Sequence, residues 1–238
     1  MKLLDAFHRL LACAHPLNLR LPDEDFPFFR GSCFTVRHER KLFVLTALHC
    51  LTNVDVKKTR IDCGGQENDY FPLKRWSFFE PAGSADSDLV DIAIFEVDVD
   101  SMTDAEISRA PRLELADNFV GVSELPPRCD LLLEGYPYEL SDYSPELQVT
   151  KRQSCKIFAV YEGPTERPGI SKLSFSDFGG LSDLNGLSGS PVLAVRRVSD
   201  SEAKYCLAGM IIRATIVGKC GYFIQSEVLM KALKKSQP

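Results

Sequence analysis

No Cys-x-x-Cys pair, no Asn-x-Ser/Thr sequon, no long uninterrupted apolar run and no internal repeat occurs in this 238-residue chain. Without closely spaced thiolates a structural zinc site is not expected. The missing sequon fits a protein that is not secreted. No segment has the length of a membrane span. Excess positive charge is lacking as well: 28 Lys and Arg against 33 Asp and Glu leave a net charge of −5. The one short basic run, at 231–235, is terminal, so general nucleic-acid binding is not expected. The opening MKLLDAFHRLLACAHP contains a box, LLAC, that looks like a lipoprotein cleavage site, but Asp5, His8 and Arg9 break the apolar run a signal peptide requires. Leu3, Leu4, Phe7, Leu10 and Leu11 recur at helical spacing, which predicts a short amphipathic helix over 2–13. The expected location is cytoplasmic, with no membrane partner.

What is present is ordinary globular composition, 45% hydrophobic and 26% charged. The length allows one large β domain or two half-size units that share an interface. The eight cysteines are loosely spaced, and a chain this long folds without disulfides, so mostly reduced thiols are expected. From residue 27 short β-type runs alternate with turn residues. SCFTV and KLFVLTA flank RHER as a hairpin, and DIAIFEV (91–97) alternates as a strand. Residues 100–127 are acidic and turn-rich and read as a connector. A second strand-rich half follows: DLLLEGYP (130–137), LQVTKRQSCKIFAVY (147–161), ISKLSFS (170–176), SPVLAVRRV (190–198) and YCLAGMIIRATI (205–216). SEVLMKALKK then predicts a C-terminal helix with Ser226 as N-cap. Many short strands without βαβ alternation point to barrels or sandwiches.

Three stretches carry chemistry. FVLTALHC (43–50) ends a strand-forming run on His49, one of only four histidines. By itself this reads first as a half-buried strand-end histidine, and only second as a general base at the rim of a sheet. LNGLSGSPVL (184–193) sets Ser188 between Gly186 and Gly189, and a nucleophilic serine needs such a tight turn with backbone N–H groups free beside it. Asp91 stands just before a strand, which on its own is a common place for a structural aspartate.

Taken together, in the chain order His49, Asp91, Ser188, they resemble the chymotrypsin/trypsin-like serine protease family. Thr46-Ala47-Leu48-His49-Cys50 looks like the family's Thr-Ala-x-His-Cys, and Asp91-Ile92-Ala93-Ile94 like its Asp-Ile/Leu-Ala-Leu. Gly-Leu-Ser-Gly-Ser-Pro at 186–191 resembles its Gly-x-Ser-Gly-Gly/Ser-Pro, and the likeness covers roughly 27–235. The resemblance implies an all-β fold of two six-stranded antiparallel β-barrels with short N- and C-terminal helices. The expected organisation is a helical segment at 1–26, a first barrel at 27–110 and a second barrel with the C-terminal helix at 111–238. It further implies an endopeptidase in which Ser188 attacks a peptide carbonyl, His49 takes its proton and Asp91 orients the imidazole. The N–H groups of Gly186 and Ser188 would form the oxyanion hole. By family register Ser182 and Asp183 lie at the floor of the primary specificity pocket, with Ile212, Arg213, Ala214 and Gly221 on its walls. Asp183 then either receives a basic P1 side chain or faces solvent, and Arg213, if turned inward, favours an acidic one. No cofactor and no metal is expected.

Two departures bear on control. Leu187 stands where trypsin-type zymogens carry the aspartate that pairs with a new N-terminus, so activation by N-terminal cleavage is not expected. Cys33 is out of register with the cysteine that normally bonds the one after the histidine, so free thiols are favoured over a Cys33–Cys50 bridge. Gly179, Gly180 and Gly186 make the oxyanion segment easy to disorder, which suggests an activating protein or additional domain as partner beside the protein or peptide substrate. The alternative is a catalytically silent protease-fold binding module.

Overall fold

The computed structural model describes residues 13–20, 27–53, 55–61, 70–79, 91–110, 113–114, 118–144, 149–199 and 202–236. All but the last residue of the helix expected over 2–13, and Cys63, lie outside them.

The first half is one antiparallel sheet. It contains β1 (Ala14–Arg20), β2 (Pro27–His38), β3 (Lys41–Thr46), β4 (Thr59–Ile61), β5 (Leu73–Phe78) and β6 (Ala93–Val97), in the order β4-β1-β2-β3-β6-β5. A seventh strand, β7 (Leu113–Glu114), lies parallel beside β2. The predicted hairpin is β2–β3, closed at Glu39, whose φ of 58° gives the turn its left-handed residue. β3 and β6 are buried on both faces and largely apolar, because both faces are covered. β5 alternates between half-buried and exposed residues, as an edge strand does. Its Arg75, with Lys41 of β3, neutralises the buried Glu96.

Two expectations change here. Residues 14–20, assigned to a helical N-terminal segment, form a strand between β2 and β4, because Leu17 and Ala14 are buried in the sheet's core. The supposed connector carries a short helix α1 (Asp104–Arg109), fixed by a capping box between Thr103 and Glu106, and β7 ties it to the first sheet.

In the second half β8 (Asp130–Gly135) is followed by a separate ribbon of β9 (Ser141–Ser144) and β10 (Val149–Arg152). Then come β11 (Cys155–Pro164), β12 (Ile170–Phe175), β13 (Pro191–Ser199), β14 (Glu202–Thr215) and β15 (Cys220–Gln225). With β8 these close into a six-stranded barrel in the order β11-β12-β15-β14-β13-β8. The first half has no such closure: its edge strands β4 and β5 are not paired with each other among the described residues. Alternation explains the triplet Leu131-Leu132-Leu133. Leu131 and Leu133 fill the barrel with Ile157, Leu173 and Phe223, while Leu132 turns outward with Leu193 and Met210 into the core shared with the first sheet. The C-terminal helix α2 (Ser226–Ser236) covers that shared core with Leu229 and Leu233. Ser226 opens this helix, and its hydroxyl donates to the Val120 carbonyl at 2.7 Å rather than capping the first turn.

Candidate active site

His49 sits in a short 3-10 turn (Leu48–Leu51) at the end of β3, and Asp91 lies two residues ahead of β6, which pairs with β3. That pairing brings them together. One Asp91 carboxylate oxygen accepts the His49 backbone N–H at 2.8 Å, and the other accepts from His49 Nδ1 at 2.7 Å. The carboxylate therefore fixes both the main chain and the ring, and Nε2 is the nitrogen left for other chemistry. The His49 side chain is 48% exposed and that of Asp91 only 13%, so the ring edge is open while its anchor is not. Hydrogen bonding to Asp91 and then to the Cys50 thiol pushes His49 up to about 10, against the opposing effect of burial.

Ser188 comes from the other half, on the tight turn before β13. Gly186 and Gly189 adopt φ of 95° and 88°, which side chains rarely take. Close approach demands glycine as well. A Cβ on Gly189 would overlap the Ser32 carbonyl oxygen, and one on Gly186 would lie 2.6 Å from the Tyr136 carbonyl oxygen. The turn is stitched to β2 through Ser32, which sequence reasoning did not single out. Its N–H donates to the Ser188 carbonyl at 3.0 Å and its hydroxyl to the Gly186 carbonyl at 2.7 Å. The same hydroxyl accepts the Tyr136 N–H at 2.9 Å. Ser188 Oγ donates to the Ile212 carbonyl at 3.2 Å and makes no hydrogen bond to His49. The N–H groups of Gly186 and Ser188 have no partner among the described residues.

The Cys33–Cys50 question is settled by register. Cys33 lies opposite Thr46 and donates its thiol to the His15 carbonyl. The residue that faces Cys50 is Gly31, where a Cβ would lie 2.8 Å from the Cys50 sulfur. A glycine stands where a bridging cysteine would have to be, and the seven described cysteines are thiols, none joined in a disulfide.

Beside Ser188 opens a pocket of about 410 Å³, walled by Leu184, Ile211, Ile212, Ala214 and Tyr222, with Asn185, Arg213, Thr215 and Cys220 at its polar positions. Of the expected specificity residues, Ile212, Arg213 and Ala214 are there; Ser182, Asp183 and Gly221 are not. Ser182 and Asp183 are exposed and turned to Glu139, which accepts both backbone N–H groups and the Ser182 hydroxyl. Asp183 in turn accepts from Asn185 N–H at 3.0 Å and Asn185 Nδ2 at 2.8 Å. Gly221 faces the barrel interior, where a Cβ would lie 3.0 Å from Ile211 and 3.1 Å from Leu173; its neighbours Cys220 and Tyr222 take the pocket side. No group of three His, Cys, Asp or Glu side chains among the described residues is placed to hold a metal ion.

A closed six-stranded barrel packed on a second antiparallel sheet, with the candidate residues divided between them, is the fold of the trypsin-like serine proteases. Human heparin binding protein is similar at a TM-score of 0.62 and 13% identity, over 97% of this chain and 94% of that one. The serine endoprotease from Yersinia pestis is similar at 0.57 and 15%, over 97% of this chain and 64% of that one. The Rv3671c protease, in an inactive form, is similar at 0.54 and 14%, over 98% and 93%. No family model matches the chain, and no curated protein matches it by sequence.

Proposed function

We propose that the chain is a serine endopeptidase with Ser188 as nucleophile, His49 as general base and Asp91 as the group that orients it. The observation that carries this reading is the two-oxygen grip of Asp91 on His49, which engages the main-chain N–H and Nδ1 and not Nε2. A purely structural strand-end histidine has no need of a fixed tautomer. With neutral His49, rotation of the Ser188 side chain away from the Ile212 carbonyl allows Oγ–H to donate to Nε2. Oγ then bonds to the substrate carbonyl carbon as Nε2 takes the proton, and the N–H groups of Gly186 and Ser188 receive the oxyanion. Collapse breaks the C–N bond as Nε2 returns the proton to the leaving amine. Water, activated in the same way, hydrolyses the acyl-enzyme.

The pocket supports an apolar rather than a basic P1 side chain, since its one charged lining residue among the described residues is Arg213. Leu184, Ile212, Ala214 and Tyr222 wall it, no carboxylate lines it among the described residues, and Asp183 is engaged elsewhere. The unbridged thiols of the described cysteines support a cytoplasmic setting.

A second reading, a silent binding module, draws on the Ser188 hydroxyl turned to the Ile212 carbonyl and on the similarity to a protein named for binding heparin. The net charge of −5 disfavours such a polyanion for this chain. Fluorophosphonate labelling decides between the two. We expect a covalent adduct on Ser188 that is absent in Ser188→Ala, with turnover in that variant reduced by about 10⁴–10⁶. An unlabelled wild-type protein would leave only the binding module. Peptide panels should then show cleavage after apolar residues in preference to Lys or Arg.

A further inference from the structure

The loop that presents Gly186 N–H is held by the segment that follows β8, and Glu139 is the centre of that hold. The Glu139 carboxylate accepts Ser182 N–H at 2.8 Å, Asp183 N–H at 3.0 Å and the Ser182 hydroxyl at 2.9 Å. These three bonds hold its proton affinity below the ordinary carboxylate range. Asp183, oriented by this contact, accepts Asn185 N–H and Asn185 Nδ2. The Asn185 carbonyl accepts the N–H of Tyr138, the residue next to Glu139, at 2.8 Å. In a planar trans peptide the carbonyl and the N–H point in opposite directions. Tying the Asn185 carbonyl to Tyr138 therefore aims the Gly186 N–H away from that segment, and it is one of the two N–H groups left without a partner. The segment itself is anchored to β2, because Tyr138 stacks edge-on against Phe29 at 4.8 Å and donates its hydroxyl to the Phe29 carbonyl.

We propose that Glu139 is a positioning residue: its carboxylate orders the 182–186 loop and thereby preforms the oxyanion site from within the chain. The loop then needs neither a newly cut N-terminus nor a second protein to take its working shape, although Gly179 and Gly180 sit in open space and Leu187 offers no carboxylate. This inference rests on the reading of Ser188 as nucleophile and Gly186 N–H as oxyanion donor.

Amide hydrogen exchange on the full chain tests the hold whether or not the protein is active. Glu139→Ala should raise exchange at 182–186 by about tenfold or more while β11 and β12 stay protected, and Glu139→Gln, which keeps an acceptor, should lie between the two. Unchanged exchange at 182–186 in Glu139→Ala overturns the proposal. Kinetics give the second readout. In Glu139→Ala the fluorophosphonate labelling rate and kcat should fall about tenfold or more with little change in KM, and Glu139→Gln should restore part of the loss. A rise in KM alone, with kcat intact, would also overturn it. Absence of labelling in the wild type would instead sink the endopeptidase reading and leave the exchange result to judge the loop.

Discussion

At the scale of single residues the chemistry turns on the proton of His49. Asp91 holds that proton so well that the imidazole is charged at neutral pH, and an imidazolium has no lone pair with which to accept the Ser188 hydroxyl. The expected consequence is a kcat/KM that climbs with pH from neutral well into the alkaline range, as His49 loses its proton. Asp91→Asn removes the main cause of the raised value, so the rising limb should move to lower pH while its plateau drops by about 10⁴ through loss of the correct tautomer. A pH–rate profile of both proteins checks this. An unmoved limb in the variant would mean that another group controls the proton.

Among elements, β2 and the turn before β13 depend on each other through Ser32. Ser32→Ala leaves the Gly186 carbonyl and the Tyr136 N–H without their buried partner, and each such loss is worth about 1–3 kcal/mol. Chemical denaturation should show a destabilisation of that order, together with reduced labelling of Ser188. Gly189→Ala is expected to be worse, because a Cβ there collides with the Ser32 carbonyl in a backbone conformation alanine avoids. Equal stability of Gly189→Ala and wild type would contradict the close approach of the two elements.

Over the whole molecule, Glu134 and His49 are among the groups that make stability fall as pH rises. Burial pushes Glu134, on β8, from 4.5 up to about 7. Between those values the folded state holds a proton that the unfolded chain has released. His49 does the same between 6.5 and about 10. Each contribution is complete below the unfolded value and lost as pH passes the folded one. Glu134→Gln should flatten the lower part of the stability–pH curve and Asp91→Asn the upper part, as thermal or urea unfolding across pH would reveal. The thiols give a further whole-chain expectation. Alkylation without reductant, read by intact mass, should modify most of the eight cysteines once the chain is unfolded, and a count near zero would refute the unbridged state.

The sequence by itself determined the all-β character, most strands of the second barrel, the β2–β3 hairpin and the three candidate residues. Each of these is written locally, in period-two alternation or in a motif of a few adjacent residues such as TALHC or GLSGSP. It placed β1 in a helical segment and was silent about β4 and β5; all three are short, contain proline or polar residues, and exist because neighbouring strands complete their pairing. Only the tertiary structure decided that Asp183 turns to Asn185 and Glu139, that Gly221 faces the barrel, that Gly31 rather than Cys33 meets Cys50, and that Ser32 and Glu139 hold the serine loop. Apart from the Asp183–Asn185 contact, these join residues that are distant in the chain, 43 positions in the case of Glu139 and Ser182 and 154 for Ser32 and Gly186. Nothing in the local pattern encodes them, because their partners are chosen by the register of strands and the packing of one half on the other.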